Sequence, residues 1–221
     1  MSLKITKLNN HYVVPYTQHP DYMGGIYDKN GNGIIESERF ITVNKPTTIR
    51  KKVKIVHKSA VFIGHLTRHY GHFLLDTLAR FWIFVKKDKS FFVGKDIIFI
   101  DFCHNKCGFN DPVFRYITNK LQIKRGSFRK ILNITKYNKI FVPESSYSFL
   151  CKHGVLDPII KKMFYSITKH LTPHFDDLKI YISRSKSMDL RPTTIYDELF
   201  RDLGFKILNP SARSFHTDLE K

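Results

Sequence analysis

The sequence predicts a mixed α/β protein, and three patterns carry that prediction. Short β-branched and aromatic runs, Asp96-Ile97-Ile98-Phe99-Ile100 above all, have the length and composition of buried strands. Between such runs lie longer stretches whose apolar residues return every three or four positions, the period of a helix packed on a sheet. Near the end, Leu178 to Leu208 spells strand, turn, helix, glycine, strand, a unit that pairs its strands in parallel.

Taken in order, the first part, to about Val43, is rich in Asn, Gly, Pro and Tyr and reads as short strands joined by tight turns. Its sharpest turn is Asp28-Lys29-Asn30-Gly31-Asn32-Gly33. That stretch imitates the start of a calcium loop, but the twelfth position, where a bidentate Glu belongs, is Arg39, so a hairpin turn is the better reading. From Lys51 the pattern turns α/β. Val53–Val56 and Val61–Gly64 read as two strands, and His69–Lys87 as a helix of about five turns, with Phe73, Leu74, Leu78, Phe81, Trp82 and Val85 at helical spacing. A strand at Asp96–Ile100, a helix from about Pro112 to Leu121, a strand at Lys139–Pro143 and a helix from Leu156 to His170 follow. After Pro173 come a strand at Leu178–Ser183, a turn at Arg191–Thr194, a helix from Ile195 to Leu203 stopped by Gly204, and a strand at Phe205–Leu208. The organisation this predicts is a β-rich region over 1–50, an α/β domain over 51–173, and the beginning of a second domain over 174–221.

Among the 221 residues, 42% are hydrophobic and 25% charged, the balance of an ordinary globular chain. The 37 basic and 19 acidic residues leave a net charge of +18, a field that attracts nucleic acid, anionic lipid or phosphorylated substrates. The basic residues are scattered. The tightest group, Arg50-Lys51-Lys52-Val53-Lys54, alternates into a strand pattern and reads as a solvated edge guarded by lysines rather than a nucleic-acid arm. No nucleic-acid partner is therefore expected. Met1-Ser2-Leu3-Lys4 does not open a signal peptide, and no apolar run is long enough to span a bilayer. Three cysteines, Cys103, Cys107 and Cys151, make an odd and sparse set that fits a reducing compartment. The expected location is cytoplasmic, with room for peripheral contact with an anionic membrane.

Two segments could carry chemistry. In His69-Tyr70-Gly71-His72-Phe73-Leu74-Leu75-Asp76-Thr77-Leu78-Ala79-Arg80, helical spacing aligns His72, Asp76 and Arg80, with His69 one turn earlier. A carboxylate behind an imidazole fixes its tautomer and raises its basicity, as a general base requires. His65 and His11 could join from strand or loop. The same spacing also suits a plain helix start with an exposed Asp76–Arg80 pair worth only a few tenths of a kcal/mol. The second segment is Ser183-Arg184-Ser185 followed by Arg191, at the carboxyl end of a strand, where open α/β sheets bind ligands. Two guanidiniums there suit bidentate capture of a diphosphate; a solvated basic loop is the plainer alternative. Cys103, His104, Cys107, Cys151 and His153 match no metal template in their spacing, and there is no Asp-x-Asp pair to anchor a metal–diphosphate.

Together the segments resemble glycosyltransferase family 61. Gly25-Ile26-Tyr27-Asp28 through Glu36-Ser37-Glu38-Arg39 is similar to its early hairpin region, and Gly71 through Trp82 to its signature helix. Tyr181-Ile182-Ser183-Arg184-Ser185, Arg191, Asp197-Glu198-Leu199 and Gly204-Phe205 resemble the start of its nucleotide-binding domain. The resemblance implies a GT-B-like fold, with a complete N-terminal Rossmann-like domain, an incomplete second one, and the active site in the cleft between. It implies inverting, metal-independent transfer of a sugar from a nucleotide-sugar donor to a hydroxyl of a glycan or lipid-linked acceptor in surface polysaccharide biosynthesis, with no cofactor. By position, the resemblance implies that His72 or Asp76 is the base or its orienter, that Arg184 and Arg191 hold the donor diphosphate, and that His69, Arg80 and Ser183 support them. The family continues with a helix and a His-Gly-Ala-Gly loop that this sequence lacks, so the second domain is expected to be truncated. Two other readings stay open: a non-catalytic remnant or partner subunit of an intact enzyme, and a basic nucleic-acid-binding module.

Overall fold

In the computed structural model, residues 3–16, 24–37, 49, 52–66, 73, 77–101, 112–146, 157–169, 180–182 and 194–208 are described. The chain divides into two units, Met1–Lys169 and His170–Lys221. Among the described residues of the first, six strands form one sheet: β1 (Ile5–Val14), β2 (Gly25–Tyr27), β3 (Lys54–Leu66), β4 (Lys95–Asp101), β5 (Phe128–Lys130) and β6 (Thr135–Pro143). Their order across the sheet is β2-β1-β6-β3-β4-β5. The four strands from β6 to β5 run parallel, and β1 and β2 extend the sheet through antiparallel pairs. The fold is therefore mixed α/β on a mostly parallel sheet, as the sequence predicts. In chain order the four parallel strands lie 4-1-2-3, the arrangement of one half of a doubly wound sheet, with its direction of winding reversed between β3 and β6.

Alternation of side chains divides each central strand between two cores. Val61, Ile63, Ile97 and Phe99 face one side, where they pack with Trp82, Phe114 and Met163. These come from helical segments on that face: the turns around α1 (Ile83–Lys86), α3 (Pro112–Lys120) and α4 (Pro158–Thr168). Phe62, Ile98, Ile140 and Val142 face the other side with Val13 and Ile26, and Ile131 and Ile34 close over them. Among the described residues, all the helices of this unit that enter a core lie on the first face.

Local chemistry fixes several element ends. Asp28 accepts from Asn30 N, Asn32 N and Asn32 Nδ2 at 2.8 to 2.9 Å, while Gly31 takes a φ of +82°, so the 28–33 stretch is a carboxylate-organised hairpin turn. Tyr27 bridges to Gly33 across it. Asp157 caps α4 by accepting from Ile159 N at 2.9 Å, with Pro158 as the first helical residue. The helix then buries Ile160, Met163 and Ile167 at helical spacing.

Two sequence expectations need correction. The strands expected at Val53–Val56 and Val61–Gly64 are one strand of 13 residues. Within the expected helix over His69–Lys87, the described part is broken: a 3-10 turn at Leu78–Arg80 precedes a four-residue α1, and α2 (Lys89–Phe92) follows after Asp88. The cause is competition for the helical hydrogen bonds. The Ala79 carbonyl, which a regular helix would offer to residue 83, accepts instead from Ser146 N at 2.8 Å.

In the second unit, β7 (Ile180–Ile182) and β8 (Lys206–Leu208) pair in parallel around α5 (Thr194–Asp202). Gly204, at φ +80°, ends α5 as expected: Phe205 N bonds Phe200 O and Gly204 N bonds Arg201 O, both at 2.9 Å. The Phe200 and Phe205 rings meet edge to face at 5.1 Å, completing a Schellman stop with its apolar contact. No helix among the described residues is long and apolar enough to cross a membrane.

Candidate functional site

Parallel strands in an open sheet deliver the chain to one edge, and ligands bind outside their carboxyl ends near a reversal of winding. Here that edge is formed by Leu66 of β3, Asp101 of β4 and Pro143 of β6, with Leu66 and Asp101 in register. Four polar side chains are buried around it: His65, Thr77, Arg80 and Asp101. Burying such groups is costly unless each is hydrogen-bonded or paired, and each is.

His65 follows Gly64, whose φ of +93° and the accompanying register shift let β3 turn its last residues as it leaves the sheet. Its Nε2 lies 3.3 Å from the Gly24 carbonyl, so that nitrogen carries the proton, and its ring meets Phe62 edge to face. The backbone carbonyl of His65 accepts from the Thr77 hydroxyl at 2.5 Å, and Thr77 is fully buried. Arg80 donates through Nη1 to the Pro143 carbonyl and sets its guanidinium 5.9 Å from the centre of the Phe62 ring. Next to it, Trp82 donates through Nε1 to the Glu144 carbonyl at 2.9 Å. Asp101 pairs with Lys130 of β5 at 2.5 Å, the carboxylate inside and the ammonium partly in solvent.

Geometrically, these contacts tie one stretch of chain to the strand ends. The segment 67–76 leaves β3 at Leu66 and rejoins described structure at Thr77, whose hydroxyl returns to the residue before Leu66. Phe73, 6% exposed, pins the segment again in the core on the helical face. His69, His72 and Asp76 fall between these residues in sequence and lie outside the described residues, as do Ser183, Arg184 and Arg191. So do Cys103, His104, Cys107, Cys151 and His153.

Of the residues singled out in the sequence, Arg80 is placed, and its setting differs from the exposed Asp76–Arg80 pair considered above. Its guanidinium is buried and ties the 3-10 turn to the carboxyl end of β6. His65 lies at this edge, buried at the end of β3. His11 is half-buried on β1, where Nδ1 meets Asn9 O at 2.7 Å, and its register partner Tyr137 is near the other end of β6. Sequence reasoning missed the Asp101–Lys130 pair. A signal was present, since a carboxylate closing the apolar run Ile97–Ile100 sits where α/β sheets place functional groups.

A scan against models of known protein families matches none, and no curated protein is similar to the chain.

Proposed function

We propose that the protein is a glycosyltransferase that moves a sugar from a nucleotide-diphosphate donor to a glycan hydroxyl. The observation that supports this reading best is that the residues flanking the stretch 67–76 meet at the carboxyl edge of the parallel strands: the Thr77 hydroxyl donates to the His65 carbonyl, and Phe73, within the stretch, is in the core. A base for an acceptor hydroxyl must be held within hydrogen-bond reach of the proton it takes, so a segment carrying two imidazoles and a carboxylate gains from such anchoring. In this reading His72 takes the proton, Asp76 orients it, and His69 supports them. Arg80 acts through the backbone it holds. Arg184 and Arg191, with Ser183, hold the donor diphosphate and stabilise the charge that develops as it leaves, without a metal. Surface polysaccharide assembly is the process this chemistry serves, by the resemblance to glycosyltransferase family 61.

Calorimetric titration of the purified chain with UDP-, GDP- and dTDP-sugars tests the proposal. Saturable binding of one of them, lost in Arg184→Ala and Arg191→Ala and retained in His72→Ala with turnover abolished, is the expected outcome. No heat with any of the three counts against it.

A second reading, a partner subunit of an intact enzyme, draws support from α5. Leu199 and Leu203, four positions apart, are 51% and 55% exposed, an apolar pair open to solvent in the second unit. Light scattering that shows a single copy and no self-association, together with full turnover by the chain alone, disposes of it.

A further inference from the structure

The edge of the sheet opposite the candidate site has a different chemistry. Strands β1, β6 and β3 are neighbours, and along their full lengths they contain no Asp or Glu. They carry five lysines, Lys7, Lys54, Lys58, Lys136 and Lys139. The register gathers Lys54, Lys58 and Lys136 toward the amino ends of β3 and β6: Lys54 lies opposite Thr135 and Lys136 opposite both Tyr12 and Ile55, while Lys139, opposite Asn9 and Ser59, is midway along and Lys7, opposite Phe141, is toward the other end. Lys7, Lys54 and Lys58 are exposed, as is His57. β4 begins to pair with β3 only at Ser59, so residues 54–58 project beyond it. Amid these cations Ile55 is 61% exposed, and Leu132, three residues ahead of Thr135, is 66% exposed.

Of the carboxylates described on flanking elements, Asp96 lies 3.9 Å from Arg129, and Asp28 and Glu36, on the stretch after β2, are outnumbered by the lysines. We infer that this amino-edge surface docks the protein on an anionic lipid bilayer, the lysines meeting lipid phosphates and carboxylates while Ile55 and Leu132 enter the interface. Charge complementarity selects a polyanion, and the exposed aliphatic side chains select a membrane over nucleic acid. A single-stranded nucleic acid would be met by open aromatic faces and arginines. These three strands contain no Arg, and their tyrosines are not free platforms: Tyr137 is buried and Tyr12 lies half-buried with the Lys136 ammonium 5.7 Å from its ring. Docking by this edge is independent of what the carboxyl edge binds.

Sedimentation with phosphatidylcholine vesicles, with and without phosphatidylserine, tests the inference on the full chain. Binding to the anionic vesicles alone is expected, falling steeply with salt. Each lysine near such a surface is worth about fivefold in affinity, so Lys54→Glu/Lys58→Glu/Lys136→Glu should weaken binding by about a hundredfold or more. An equal charge change on α4, Lys161→Glu/Lys162→Glu/Lys169→Glu, should cost far less, and Ile55→Ser should weaken binding several-fold even at high salt. Equal losses from the two triple variants, or no preference for anionic vesicles, overturn it. So does an oligonucleotide bound through these lysines by a chain that leaves the vesicles unbound. Far-ultraviolet circular dichroism of each variant checks the fold. Unchanged nucleotide-sugar binding in the amino-edge variant keeps a failure here separate from a failure of the glycosyltransferase proposal.

Discussion

Lys130 and Asp101 illustrate how a single pair can hold a strand edge together. The carboxylate is inside and the ammonium only partly so, which means that removing the lysine deprives a buried charge of its neighbour. Lys130→Met should cost about 2 kcal/mol in urea unfolding, below the range for fully buried pairs because Lys130 reaches solvent. Adding Asp101→Asn should recover part of that loss, since a neutral amide suffers less from burial than an unpaired carboxylate. A double variant less stable than the single one would show that the pair is not what Asp101 relies on. Tyr137 makes a second residue-scale case. Burial, aided by the nearby Asp96 charge, pushes its phenol from an ordinary value of 10.0 up to about 12. A group whose folded value is raised favours the folded state while protonated, so its contribution is complete below pH 10 and disappears as pH climbs toward 12. Ultraviolet difference titration should show one late phenolate that is missing in Tyr137→Phe. A wild-type curve that superimposes on the variant's contradicts this.

At the scale of elements, the Asp157 cap shows local sequence and tertiary contact acting together. Its carboxylate is held below the usual range, first by the Ile159 N–H and then by the Leu3 N–H, with Lys86 nearby. Asp157→Ala should cost about 1 kcal/mol, as loss of a cap does. Because the folded value is depressed, that stabilisation is present above the carboxylate's unfolded value and is lost as pH falls through the folded one. Thermal unfolding of wild type and variant should therefore converge in acid; a gap that persists at low pH would place the cost elsewhere. This helix was legible because Asp157-Pro158 at its start and Ile160, Met163 and Ile167 along it are local signals. Gly204 marked the stop of α5 for the same reason. β3 was harder to read, because His57, Lys58 and Ser59 look like a break. His57 and Lys58 lie beyond β4, and Ser59 is where its pairing begins after a register shift against β6, whereas Ala60 to Leu66 are buried in mid-sheet. The segment from Thr77 to Lys87 has helical periodicity, but Ser146 takes the Ala79 carbonyl from 67 residues away, which no local pattern reveals. Asp101 was visible as a residue. Its lysine was not, since only the parallel pairing of β4 and β5 brings Lys130 beside it.

Across the whole molecule, the two units differ in what they bury. The first has a six-stranded sheet with a core on each face, built entirely from residues before 170. The second has two short parallel strands and one helix among its described residues, too little to sustain a core alone. A fragment of residues 1–169 should unfold in one cooperative step, while 170–221 alone should give the narrow amide dispersion of an unfolded peptide. Cooperative unfolding of the short fragment would contradict this. The sheet also separates two chemistries: a carboxyl edge with His65, Arg80 and Asp101 buried at the strand ends, and an amino edge where β1, β3 and β6 carry lysines and no carboxylate.

Hydrogen exchange read by mass spectrometry, with and without a saturating nucleotide-sugar, tests most directly that the carboxyl edge is the binding edge. Slower exchange in peptides covering 64–66, 99–101 and 141–146, with 54–58 and 135–138 unchanged, is the result the account predicts. Protection confined to the amino edge, or none at either, would contradict it.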